Sequence, residues 1–454
     1  HNDQLYALSV GKMESFNIAD PDNLVSTAQR VTARSVEALI PIGEGHYAQL
    51  NRDTWSGEAK IQITTMEDPD TLAPVGSVSL DFLGGSTPSY YFWGDGFKSS
   101  LTRLFTKEQY LYLLRGEEPW VYGSEQDVVF PEFSPTQLLV FDVSDPAQPL
   151  HLSTTDFFYP PFSKNNTYFS QSNVDQGDVV MVGDTLVVRP TDREWRPQDQ
   201  TSGTNPALYG IDVSDPLAPV IAFEIPRVED HSYGLLVKKG DLVITSHQEP
   251  IPDLEDMAMS YMDVFDFSGS TSPQVLSPVN IPGFLVDYNP TTGKIVTAEN
   301  RLETIETEDN LTCWQIDSTS IGYDDQTGLC SYTIGTLYVL DLDGDVARLA
   351  ETREFDSGSI SGTSVTGERL FVQVDKGYYA RTCGVSFVDP RPLIHIYQMG
   401  TDENLPGVDT VLLPSPYCRP DASREADLVV SCSYPEASGL VFSADREGVR
   451  ISPE

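Results

Sequence analysis

The 454 residues carry 68 Asp and Glu against 28 Lys and Arg, a formal charge of -40, which argues against nucleic acid or an anionic membrane surface as a partner. A hydrophobic fraction of 39%, with 21 Tyr, 20 Phe and 5 Trp, argues against disorder. Such a length means several domains or one architecture that grows by repetition, and no run of 18 apolar residues offers a membrane span.

Taken in chain order, the recurring element is a hairpin made of an alternating apolar strand, a turn rich in Asp, Pro, Ser or Gly, and a second strand. Copies start at Met13 (MESFNIADPDNLVS), Ile61 (IQITTMEDPDTLAPVGSVSLD), Leu138 (LLVFDVSDPAQPLHL) and Leu208 (LYGIDVSDPLAPVIAF). Further copies start at Met262 (MDVFDFSGSTSPQVL), Leu337 (LYVLDLDGDVARLAE), Ile394 (IHIYQMGTDENLPGVDTVLL) and Leu440 (LVFSADREGVRIS). In such turns Asp or Ser bonds its own backbone, while Pro fixes φ and ends the first strand.

A second series precedes these hairpins, each member a Gly/Asp turn entering a short buried strand. Its members are DQLYALSV at Asp3, GHYAQL at Gly45, KEQYLYLLR at Lys107, VGDTLVVRP at Val182, KGDLVITSH at Lys239, TGKIVTAEN at Thr292, TGERLFVQV at Thr366 and EADLVVSCS at Glu425. Two interleaved series of about eight, without helical periodicity, predict an all-β chain. The fold expected is a single β-propeller over 1–454 with four-stranded antiparallel blades, eight in number, seven being the alternative.

The DVSDPxxP hairpins, Asp142 to Pro149 and Asp212 to Pro219, resemble the LVIVD-type repeats of exported propellers. The segment from Ala73 to Leu114 resembles the secreted bacterial and archaeal β-propeller family distantly related to WD40 repeats. The resemblance covers most of the chain and implies an exported ring of blades; its motifs are structural.

If the Gly/Asp strand is second in each blade, the Ser-Asp-Pro hairpin supplies the third and fourth strands. The insertions 115–137, 189–207, 300–335 and 375–392 then all join second to third strands and decorate one face. That face is where binding groups are expected.

Five cysteines lie at 313, 330, 383, 418 and 432. The short-range pairs Cys313 with Cys330 and Cys418 with Cys432 read as disulfides, with Cys383 left over, and point to an oxidising compartment: secreted, extracellular, cell-surface or periplasmic. Acids in such excess, with 9 Lys against 19 Arg, also suit a surface bathed in salt.

Candidate chemistry is sparse. Asp341, Asp343 and Asp345 alternate as hard oxygen donors would for calcium, although they align with the turns of the sister repeats. Tyr91 and Trp93, and Phe158 and Tyr159, could offer rigid rings to a glycan or a protein. Met257, Met259 and Met262 read as strand residues, Met262 on the opposite face from the other two. The six histidines show no ligand-like spacing and read as solvated or internally bonded. Nucleophile and phosphate-binding signatures are missing. The function expected is an exported, non-catalytic binding or structural module in a surface assembly. The alternative is a polysaccharide hydrolase or lyase using carboxylates at the edge of the channel.

Overall fold

The computed structural model describes residues 4–9, 12–17, 25–31, 36–43, 45–52, 59–65, 74–80, 98–119, 136–157, 176–190, 206–228, 231–251, 257–305, 321–323, 330–343, 346–355, 358–375, 392–400, 405–413, 418–424, 427–432, 440–445 and 448–453, with side chains for most of 38–413. These residues are strands and turns, paired antiparallel into sheets of three to seven strands. The chain divides into two compact units: His1–Phe162 with Arg193–Gly203 and Val213–Val220, and Ser163–Asp192 with Thr204–Asp212 and Ile221–Glu454.

The first unit holds a three-stranded sheet, Gln4–Ser9, Lys12–Asn17 and Val25–Val31. A four-stranded sheet follows, Val36–Gly43, His46–Arg52, Ala59–Thr65 and Gly76–Ser79. The next is Lys98–Lys107, Tyr110–Pro119, Thr136–Asp142 and Leu150–Phe157. In each, strand order equals chain order. Ile40, Leu50, Ile61 and Ile63 of the second sheet pack on Leu111, Leu113, Leu139 and Phe141 of the third.

The pattern continues with Val179–Val182, Thr185–Val188, Leu208–Asp212 and Val220–Ile225, all in the second unit except Val220. Next comes a sheet built on Leu236–Lys239, Leu242–Pro250 and Ala258–Asp266, edged by Gln274–Val275 and Val279–Ile281 and joined by Gln176–Gly177 and Ser232–Tyr233. Phe284–Tyr288, Lys294–Ile305, Cys330–Asp343 and Val346–Phe355 form another sheet, with Ile321–Tyr323 added. The last two are Ser359–Thr366, Arg369–Asp375, Leu393–Gln398, Gly407–Leu412, and Cys418–Arg424, Asp427–Cys432, Leu440–Asp445, Gly448–Pro453. The strand Leu242–Pro250 is buried on both faces over residues 243–247. Val243 packs with Val180, Val187 and Leu208, whereas Ile244 packs with Leu285, Ile295 and Leu340. This double burial accounts for the continuous Leu-Val-Ile run of that strand, where a strand wet on one face would alternate.

The two repeat series map onto two kinds of hairpin. Gly183, Gly240 and Gly367 hold φ of 52°, 61° and 56° at the first of two residues joining first to second strand, where a Cβ is unfavourable. In the third to fourth strand hairpins, the carboxylates accept backbone N–H groups two residues on: Asp142 from Ser144 at 2.9 Å, Asp145 from Ala147 at 3.0 Å, Asp215 from Leu217 at 2.9 Å and Asp266 from Ser268 at 2.8 Å. The Asp145 turn lies against the neighbouring sheet of its unit, where a Cβ on Gly76 would come within 2.2 Å of the Pro146 carbonyl oxygen.

Two insertions are shorter than their sequence limits, because strand pairing extends into them. Arg115 pairs with Gln137, leaving 120–135 outside the described residues. Pairing also runs from Asn300 opposite Gly335 to Ile305 opposite Cys330. The other two begin at strand ends, after Val188 and Asp375. Among the described residues no helix is long and apolar enough to cross a membrane.

Candidate metal centre

The chemistry of the second unit concentrates at the end of one sheet, where Leu242–Pro250 and Ala258–Asp266 are joined by 251–257. Alternation puts Thr245, His247 and Glu249 on one face of the first of these strands. Opposite them on the second stand Asp263, Tyr261 and Met259, paired in that order. The short strand Ser232–Tyr233 adds Tyr233 opposite His247 on the other side. One row of rings, Tyr233, His247 and Tyr261, therefore crosses three strands.

His247 is the hub. Its Nδ1 lies 2.6 Å from Asp263 Oδ2. A carboxylate only accepts, so Nδ1 carries a proton, and the ring is held with Nε2 turned toward Glu249. That Nε2 is 3.4 Å from Glu249 Oε1, and His231 Nε2 is 3.6 Å from the same oxygen. The three donor atoms lie within 4.8 Å of one another. The His231 and His247 rings are parallel, with an interplanar angle of 5° and centroids 4.9 Å apart, and Tyr261 stacks on His247 at 5.2 Å. Burial opposes charge on His247, but the hydrogen bonds and negative charges of Asp263 and Glu249 outweigh it and hold its pKa above the usual imidazole value.

The segment bearing His231 and Tyr233 is fixed from beneath. Arg189, only 1% exposed, donates from Nη1 to the Tyr233 carbonyl oxygen at 2.9 Å. Its Nε and Nη2 donate to Asp178 Oδ1 at 3.2 and 2.5 Å, so the buried cation is neutralised where it is held. Val228 N–H donates to the Tyr233 hydroxyl at 3.5 Å, and the Arg227 guanidinium lies 5.5 Å from the Tyr233 ring centre. Burial pushes the Tyr233 phenol up from its ordinary pKa.

The residues singled out from sequence lie elsewhere. Asp341 sits on Cys330–Asp343 with the buried Lys294 Nζ 3.9 Å from its Oδ1. The side chain of Asp343 and all of Asp345 lie outside the described residues, as do Tyr91, Trp93, Phe158, Tyr159, Cys313 and Cys383. Cys330 opens its strand opposite Ile305 and Tyr323, and Cys418 is the register partner of Cys432. Met262 is fully buried, whereas Met257 and Met259 are exposed on the other face.

His247 is internally bonded, as the sequence reading expects, and the fold also brings His231, 16 positions away, together with it and Glu249. The His-x-Glu spacing at 247–249 was a legible sign, since it puts both side chains on one face of a strand. The arrival of His231 depends on the pairing of Ser232–Tyr233, which no local pattern announces.

No protein-family model matches the sequence, and no curated protein is similar to it. Among solved structures, the β-propeller domain of the Trilobed protease from Pyrococcus furiosus is similar at 8% identity and a TM-score of 0.42, over 92% of this chain and 98% of that one. A putative 6-phosphogluconolactonase from Bacteroides fragilis is similar at 10% identity and a TM-score of 0.38, over 87% and 89%. A post-proline cleaving enzyme from Rickettsia typhi is similar at 10% identity and a TM-score of 0.44, over 92% of this chain but 53% of the enzyme.

Proposed function

We propose that the chain is an exported β-propeller, a single ring of eight blades, that acts as a binding module rather than a catalyst. Its partner, a protein or a glycan, docks where second strands hand over to third strands. The repeated antiparallel sheets with chain-order strands support the ring, since this is the unit from which blades are made. The observation that carries the binding role is the row Tyr233, His247 and Tyr261 across three strands at that sheet end. Rings held rigid by packing give contact area at little entropic cost. The two carboxylates of this site, Glu249 and Asp263, both bond His247. A hydrolase would need one acid and one base free to flank a glycosidic bond about 5–10 Å apart.

Export is supported by the placement of Cys418 opposite Cys432. Such partners sit about 4.5–5.5 Å apart at Cα, inside the span a disulfide bridges. Peptide mapping with and without reductant reads this directly, and a free thiol at both positions in protein from an oxidising compartment would count against it.

The binding role is tested by screening the immobilised chain against glycan and peptide panels, then repeating the positives with Tyr233→Ala and Tyr261→Ala. Losses of about 30-fold or more are expected, the scale of an interface anchor. Turnover of a glycan that disappears in Glu249→Gln would replace this reading with the hydrolase.

A further inference from the structure

We propose that His231, His247 and Glu249 hold one divalent first-row transition ion, of which Zn²⁺ is the representative. Asp263 positions His247 for it, and one coordination position is left for water or a donor atom of the partner. The inference rests on the reading that this sheet end is the working face, and it goes further by naming what sits there.

Three observations converge. First, two imidazole nitrogens face the same carboxylate oxygen at 3.4 and 3.6 Å. A tetrahedral ion with bonds of about 2.0–2.2 Å holds neighbouring donors about 3.3–3.6 Å apart. Second, Asp263 accepts a hydrogen bond from His247 Nδ1 at 2.6 Å, which fixes the ring with Nε2 turned toward Glu249. A carboxylate behind the imidazole is the usual device for orienting a metal-bound histidine and raising its basicity. Third, the donors are part-shielded but reachable. The side chains of His247, His231 and Glu249 are 7%, 15% and 39% exposed. Burial excludes competing water on the imidazole side, and Glu249 leaves a way in.

The donor set selects the ion. Calcium and magnesium take oxygen ligands, and magnesium keeps most of its water. Two imidazoles with one carboxylate suit zinc and its late first-row neighbours. Three protein ligands leave a tetrahedral site one short, the arrangement of sites that go on to bind something else. Here that something is the partner, and the flanking Tyr233 and Tyr261 rings would grip the same molecule.

The test uses the full chain, stripped with chelator and dialysed, titrated calorimetrically with ZnCl₂ alone and optically with Co²⁺. One saturable equivalent per chain is expected, with a visible Co²⁺ band indicating nitrogen and oxygen ligands. His247→Ala or His231→Ala should weaken binding at least 100-fold, and Asp263→Asn by about 10- to 100-fold. His395→Ala, whose ring lies against Phe355 and Thr410, should change nothing. Asp263→Asn also shifts the Co²⁺ band, and Asp263→Glu restores it, which a loss of packing alone would not do. Far-UV circular dichroism accompanies each variant. Should the histidine variants unfold, the near-isosteric Asp263→Asn carries the test.

Absence of saturable binding by the stripped wild type would overturn the proposal. So would affinity that survives His231→Ala/His247→Ala, which would assign the ions to the acidic surface. Glycan or peptide binding that persists in chelator would keep the module and discard the metal; metal binding with no hit on either panel would do the reverse.

Discussion

Glu108 holds a left-handed backbone at φ 52°, in the turn position that glycine fills at Gly183, Gly240 and Gly367. An L side chain there costs about 1–2 kcal/mol, of which about 0.5–1 kcal/mol returns as reduced freedom of the unfolded chain. Glu108→Gly should therefore stabilise the protein by roughly 0.5–1 kcal/mol, read as a higher urea midpoint at unchanged slope; a lower midpoint would mean that Glu108 makes a compensating contact. Tyr338 offers a pH-resolved case. Its hydroxyl donates to Glu299 Oε1 at 2.5 Å, and burial together with that carboxylate pushes its pKa up to about 12. The unfolded phenol titrates near 10, so the folded state favours the neutral form. The stability this contributes is complete below pH 10 and is lost as pH rises toward 12. Wild type and Tyr338→Phe should then differ by a constant amount up to pH 10, with the gap closing above it. A gap independent of pH across that window would show that the hydrogen bond does not set the phenol's proton affinity.

The hairpins between third and fourth strands put Asp to local use. Asp145 and Asp215 each accept a backbone N–H two residues on, at 3.0 and 2.9 Å, and the same turns close with Gln148 N–H to the Asp145 carbonyl and Ala218 N–H to the Asp215 carbonyl. Asp145→Ala and Asp215→Ala should each cost about 1 kcal/mol, the net worth of one such hydrogen bond. Asn at either position keeps the accepting oxygen and should be near neutral. Equal losses for Ala and Asn would assign the effect to charge instead. These turns also explain why the elements were readable from sequence. Asp-Pro and Gly-Asp chemistry is local, so strand order and hairpin type followed from the chain alone, whereas the limits of 115–137 and 300–335 depended on how far cross-strand partners continue. The site was harder to see for the same reason. His247 and Glu249 are neighbours on one strand face, a local signal that the spacing of the histidines alone passes over. His231 joins them through the part-buried hydrogen bond from Arg189 to the Tyr233 carbonyl, which belongs to tertiary structure.

At the scale of the molecule the dominant quantity is the charge of -40. Part of it is spent in turns that stabilise hairpins, as at Asp142, Asp145, Asp215 and Asp266. What remains repels itself, and compaction brings like charges closer than they are in the unfolded chain. Salt relieves that cost to the extent that the Debye length falls below the spacing of surface charges, from about 10 Å at 0.1 M to about 3 Å at 1 M. The urea midpoint should therefore rise with NaCl, steeply up to about 1 M and little beyond, because screening saturates once its range is shorter than the distance between neighbouring carboxylates. Salting-out of apolar surface behaves differently and keeps increasing with concentration. The shape of the curve thus separates the two causes: early saturation assigns the gain to carboxylate repulsion, a continuing rise assigns it to the core, and a flat or falling midpoint would show that the turns and local pairings already absorb the charge.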